Sequence, residues 1–106
     1  MAYDEGLAER LRDLLPKAIE KKMFGSVGWM ERGHLVAGIW KDDLIARVAP
    51  DETAKALQEP GVKPFAVTGK PMKGWVLVDA EQVAEEPQLK EWVERSRKFT
   101  KMLPAK

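Results

Sequence analysis

Apolar positions between residues 22 and 48 crowd into three short runs separated by tight turns. In the first run, residues 22–30, Phe24, Val27, Trp29 and Met30 are interspersed with small residues. Glu31, Arg32, Gly33 and His34 reverse the chain, with Gly33 supplying the positive φ of a tight hairpin. Leu35, Val36, Ala37, Gly38, Ile39 and Trp40 return, Lys41, Asp42 and Asp43 turn again, and residues 44–48 close an antiparallel meander. Ahead of it, Leu7, Leu11, Leu14, Leu15 and Ala18 recur at helical spacing opposite Glu9, Arg10, Arg12 and Asp13. This predicts an amphipathic helix capped by Asp4 and ended near Pro16. Beyond the meander, Pro50, Asp51 and Glu52 open a helix of about two turns that Pro60 and Gly61 stop. Phe65 and Val67 mark a short strand at 62–68, and Trp75, Val76, Leu77 and Val78 form an apolar run expected to be covered on both faces. Leu89, Trp92, Val93, Ser96, Phe99 and Leu103 then step through a long final helix, with Pro87 in its first turn.

The predicted order is α-β-β-β-α-β-β-α, a single α+β domain over residues 1–106. Strands grouped in this way predict two layers, an antiparallel sheet with helices mainly on one face. At 106 residues, with 44% hydrophobic and 33% charged residues, the chain can bury a core without metals or disulfides. A net charge of +1 supplies no global field for nucleic acid or anionic membrane. The absence of cysteine excludes disulfides, thiolate nucleophiles and Cys-ligated zinc together. With no signal-like start and no apolar run of membrane length, the expected location is the cytoplasm, away from membranes.

Few residues offer chemistry. His34 is the one histidine, and a general base or metal site needs companions the chain does not supply. Asp42 and Asp43 are adjacent at a turn, where neighbouring side chains diverge. Ser26 and Ser96 lie outside any nucleophile-elbow context. The stretch Gly69, Lys70, Pro71, Met72, Lys73, Gly74 leads into a strand and lacks the Ser or Thr of a phosphate-binding loop. Arg95, Arg97, Lys98 and Lys101 could meet phosphates from the last helix, but Glu91 and Glu94 dilute that patch. The expectation is a protein that is not an enzyme, with no catalytic residue, no metal and no cofactor.

Four tryptophans in so short a chain carry the best functional hint. If Arg32 and Gly33 form the first turn and Asp42 and Asp43 the second, strict alternation puts Met30, Leu35, Ala37, Ile39, Leu44, Ala46 and Val48 on one face. The opposite face then holds Val27, Trp29, Val36, Trp40 and Ile45, with Arg47 at its margin. Helices on one side leave that second face open, and a large apolar patch marks a partner surface. The expectation is a homodimer joined partly through the face that holds these five residues, with a further protein partner not identified by the sequence.

Two stretches carry a family resemblance. Lys22, Met23, Phe24 and Gly25 ahead of an apolar hairpin resemble the opening signature of the TfoX (Sxy) N-terminal domain. Gly69, Pro71, Met72, Gly74 and Trp75 resemble its second signature, a glycine and a methionine before an aromatic strand. One departure is Ser26, where many members carry a second glycine after Gly25. The resemblance covers nearly the whole chain. It implies a fold like that of secretion chaperones and a cytoplasmic, bacterial, non-enzymatic regulatory domain. In the longer members a helical domain follows and the protein promotes transcription of competence genes. The alternative function, from a different class, is a nucleic-acid-associated transcriptional regulator acting through the basic terminal helix.

Overall fold

The computed structural model of the chain describes residues 5–23, 26–65 and 74–104. Six strands form one antiparallel sheet: β1 (Ile19–Met23), β2 (Ser26–Glu31), β3 (His34–Trp40), β4 (Asp43–Arg47), β5 (Val62–Pro64) and β6 (Trp75–Val78), in the order β1-β2-β3-β4-β6-β5. Three α-helices accompany it: α1 (Glu5–Leu14), α2 (Thr53–Ala56) and α3 (Glu86–Thr100). The α+β class and the antiparallel sheet stand as the hydrophobic pattern predicts.

The strand count is larger than predicted. Residues 22–30 are not one strand; β1 ends at Met23 and pairs with β2 from Met23↔Ser26 to Ile19↔Met30. Glu20, Lys21 and Lys22 hide this strand from a pattern search, because an edge strand needs only one neighbour and these positions remain exposed. The predicted helix at 53–59 is the single turn of α2, preceded by a 3-10 turn at Pro50–Glu52. Of the strand predicted at 62–68, β5 is the described part; residues 66–68, with Val67, lie outside the described residues, as does the predicted cap Asp4. A second 3-10 turn, Ala80–Val83, leads into α3.

A single bulge sets which side chains reach the core. From the first turn the pairing runs Glu31↔His34 and Met30↔Leu35, then slips to Trp29↔Ala37, Gly28↔Gly38 and Val27↔Ile39. Val36 is the extra residue. It turns into the core beside Ala37, and neither is more than 1% exposed. The slip reverses the face of everything beyond it on β2 relative to strict alternation. Val27, Trp29 and Val36 therefore join Ile39, Leu44 and Ala46 in the core, while Met30 and Leu35 fall on the other side.

The core lies between that sheet face and the helices. Leu7, Ala8, Leu11 and Leu15 from the α1 region and Leu89, Trp92 and Val93 from α3 pack with Val27, Trp29, Val36, Ile39, Leu44, Val76 and Val78. α1 stops two residues before Pro16, with Leu15 still donating to the Leu11 carbonyl at 2.8 Å. Arg32 and Gly33, at φ 56° and 83°, make the first hairpin turn. The positive φ expected of Gly33 extends to its non-glycine neighbour.

Candidate interaction surface

The sheet face turned away from the helices carries an aromatic group. Trp40 projects from β3 and Phe65 follows β5; their rings meet edge-on with centroids 6.3 Å apart. β4 and β6 lie between these strands, so the two side chains lean toward each other across them. Below that bridge Ile45, paired with Leu77, is only 5% exposed. Trp75 completes the group at 6.5 Å from Phe65. Trp40, Trp75, Leu77, Met30 and Leu35 remain half-buried. Gly28 and Gly38 pair on this face, and a Cβ at Gly38 would stand 3.0 Å from the Val27 carbonyl oxygen and 3.3 Å from Ile45 Cδ1.

Arg47 anchors one end of the group. Its guanidinium carbon lies 4.9 Å from the Trp75 ring centroid and 5.3 Å from that of Phe99 on α3. Partial burial pulls its pKa below the ordinary arginine value, and the two ring faces replace part of the lost hydration. The Arg47 backbone N–H donates to Ser96 Oγ at 3.0 Å, just past the last β3–β4 pair, Ala37↔Ala46. Here the helix hydroxyl supplies the acceptor for a strand N–H beyond the ladder. Gly74, at φ 89°, donates to Thr53 Oγ1 at 2.8 Å and accepts from the Val48 N–H at 2.9 Å. A side chain would be strained in that left-handed conformation and would press on the Val48 carbonyl at 3.3 Å.

The end of α3 is tied to the first hairpin. Arg32 donates to the carbonyls of Thr100, Lys101 and Leu103, capping the helix C-terminus with a cation. His34 is buried, and its Nε2 lies 2.6 Å from the Pro104 oxygen. A carbonyl only accepts, so Nε2 carries the proton; the buried Nδ1 has no partner among the described residues. Arg97 bonds Glu31 at 3.1 Å. Arg95 bonds both carboxylate oxygens of Glu59 and one of Glu91, and lies 4.4 Å from the Trp92 ring centroid. The Glu59 bonds hold its pKa above the ordinary arginine value. Between this helix and the α2 region lies an open cleft of about 570 Å³, lined by Val48, Pro50, Lys55, Arg95, Phe99 and Met102 among others.

The five residues expected to share an interface are not brought together. Val27, Trp29 and Val36 are core residues, and only Trp40 and Ile45 lie on the open face, for the register reason given above. Sequence reasoning missed Phe65, Trp75 and Leu77 as members of that face, although alternation along β6 places Trp75 and Leu77 on one side. Of the resemblance residues, Lys22 is exposed on β1, Met23 ends it, and Gly74 and Trp75 open β6. Phe24, Gly25, Gly69, Pro71 and Met72 lie outside the described residues. Asp43 is bonded to Lys63 at 3.0 Å and Asp42 is exposed. Among the described residues no group of three His, Cys, Asp or Glu side chains could hold a metal ion. No described helix is long and apolar enough to cross a membrane.

Fold and surface together define an α+β domain with helices over one sheet face and an aromatic group on the other. The family model of the TfoX N-terminal domain matches residues 9–100, and the chain belongs to that family. No curated protein and no solved structure gives a match.

Proposed function

We propose that this chain is a non-catalytic regulatory domain that binds a protein partner through the open sheet face. One observation carries the reading: Trp40, Trp75, Leu77, Met30 and Leu35 are only partly buried, all on the face opposite the helices. Trp and Arg are the residue types that dominate binding energy at protein interfaces, and Met is enriched there. Membership of the TfoX N-terminal family supports a regulatory role, and the resemblance to its longer members suggests transcription as the process. Self-association, cytoplasmic location and bacterial origin belong to the same proposal.

Nucleic-acid binding by α3 gains no support. Arg95 and Arg97 are held in ion pairs with Glu59, Glu91 and Glu31. Phosphate recognition needs cations that can release their counter-ions to the ligand, and two of the four basic residues singled out on this helix are neutralised in place.

The test is a co-purification from the native cell with three baits: the wild type, Trp75→Glu on the open face, and Lys90→Glu on the exposed side of α3. A partner identified by mass spectrometry should be retained by the wild type and the α3 variant and lost with Trp75→Glu. The reading fails if the three baits, all folded by circular dichroism, retain the same proteins.

A further inference from the structure

The two edges of the sheet differ in kind. β5 is three residues long, contains Pro64 and ties Lys63 to Asp43. That bond raises the Lys63 pKa above its ordinary value. Such an edge is blocked against further pairing. β1 is five residues long and, among the described residues, pairs on one side only, with Ile19, Glu20, Lys21 and Lys22 all exposed. Ile19 is 73% exposed, one of two large apolar side chains left in solvent among the described residues. No backbone bond reaches the outer side of this strand from any described residue.

Charges on an edge strand normally keep other strands away. On β1 their order does the opposite, because it is self-complementary. We infer that β1 pairs antiparallel with β1 of a second copy of this chain, about a two-fold axis through Lys21, so that two six-stranded sheets become one.

In that register Glu20 stands opposite the partner's Lys22, and Lys22 opposite the partner's Glu20. Ile19 stands opposite position 23, and all five residues of the strand are used. Other registers are worse. A one-residue slip sets outward-facing backbone groups against inward-facing ones and breaks the ladder. A two-residue slip sets Glu20 opposite its own copy, or Lys22 opposite its own copy, and shortens the overlap. Only the Lys21 pair is like-charged. It lies on the other side of the strand from Glu20 and Lys22, and its exposed flexible side chains can diverge. Arg12 already holds the Glu20 carboxylate, at 2.6 and 3.0 Å. A carboxylate has lone pairs for a second cation, so this bond orients Glu20 without saturating it. The arrangement is isologous, the commonest form of small homo-oligomer. It leaves the aromatic face free; it deepens the self-association proposed above and rests on the strand edge, not on a partner at the open face.

The chain has no native cysteine, which gives a direct test. Lys21→Cys places one thiol opposite its own copy, at a cross-strand spacing of about 5 Å that a disulfide can bridge. Under mild oxidation this variant should form a covalent dimer, while Lys55→Cys on α2 should not. Light scattering should show the wild-type mass rising from the 12.0 kDa chain toward twice that value with concentration. Lys22→Glu and Glu20→Lys should each weaken association by about tenfold or more, since two cross-strand attractions become repulsions. Mixed in equal amounts, they should recover it, because one chain then offers two carboxylates where the other offers two ammonium groups. Glu20→Lys also removes the Arg12 partner; if that variant does not fold, the Lys21→Cys and Lys22→Glu results decide. The inference is overturned by a mass that stays at 12.0 kDa without a Lys21→Cys cross-link. A dimer that resists Lys22→Glu but is abolished by Trp40→Glu also overturns it and moves self-association to the open face.

Discussion

Trp29 and Trp40 belong to neighbouring strands of one hairpin, yet they have opposite fates. Trp29 is 1% exposed in the core shared with α1 and α3, whereas Trp40 is half-buried on the other face, its ring edge-on to Phe65. Composition does not separate them, and neither does local propensity. The one residue inserted at Val36 does, because it shifts β3 against β2 and changes which side of the sheet each following side chain takes. The helix-covered face is a close-packed interior, and the open face is a thinner layer that rings cover by leaning across two strands. Two faces of one sheet can thus both be apolar and still be built differently: one is a fully buried core, the other a partly buried layer of rings.

The sharpest way to break this comparison is to truncate each tryptophan in turn. Trp29→Ala should cost about 3–5 kcal/mol, the range for emptying a buried aromatic site. In a domain of this size that lowers the melting temperature by roughly 15 °C or more. Trp40→Ala loses partial burial and one edge-on ring contact, and should cost about 1–2 kcal/mol. Chemical denaturation of both variants gives the two numbers side by side. Equal losses would mean that the faces are not energetically distinct.

How much of this was legible beforehand depends on the kind of signal each feature leaves. The α3 stripe was readable because Leu89, Trp92, Val93 and Ser96 are buried at helical spacing. The first hairpin was readable because Gly33 marks a positive φ. β1 was not, since Ile19, Glu20, Lys21 and Lys22 are all exposed and leave no alternation to read. The bulge was not either. Val36 is an ordinary strand residue, and this bulge requires no glycine to announce it. Lys41 takes φ 58° in the second turn without being glycine, so that turn too ends one residue from where Asp42 and Asp43 suggest. The open face was therefore expected, but with three of its five named members on the wrong side.

The open face can be tested where its backbone is most crowded. Gly38→Ala would set a methyl group 3.0 Å from the Val27 carbonyl oxygen, a backbone atom that cannot move aside, and 3.3 Å from Ile45. A destabilisation of about 1–3 kcal/mol is expected from overpacking. A neutral result would show that Ile45 moves readily and that the layer over it is loose. Ser26 probes the same side of β2 with the opposite sign. It precedes core-facing Val27, is 4% exposed, and its hydroxyl has no hydrogen-bond partner among the described residues. Ser26→Ala removes a desolvated hydroxyl and should stabilise the fold by about 0.5–1 kcal/mol. Lower stability in the alanine variant would mean that the hydroxyl is satisfied in solution and this end of the face is wet.

The smallest effect lies at the margin of the covered face, where α1 meets β1. Arg12 bonds Glu20 at 2.6 and 3.0 Å and holds its carboxyl below the ordinary carboxylate range. The sign follows from linkage. A carboxyl whose folded pKa is depressed adds stability that is present above its unfolded pKa and is lost as pH falls through the folded one. Both side chains are substantially exposed, so solvent screens the pair and holds its worth to about 0.5 kcal/mol. Glu20→Gln should therefore melt slightly below the wild type at neutral pH, and the gap should close in acid, below the usual carboxylate range. Tryptophan fluorescence at high dilution isolates this effect from any pairing of β1 between copies. A gap that persists unchanged in acid would trace the difference to the packing of α1 on the sheet rather than to the charge on Glu20.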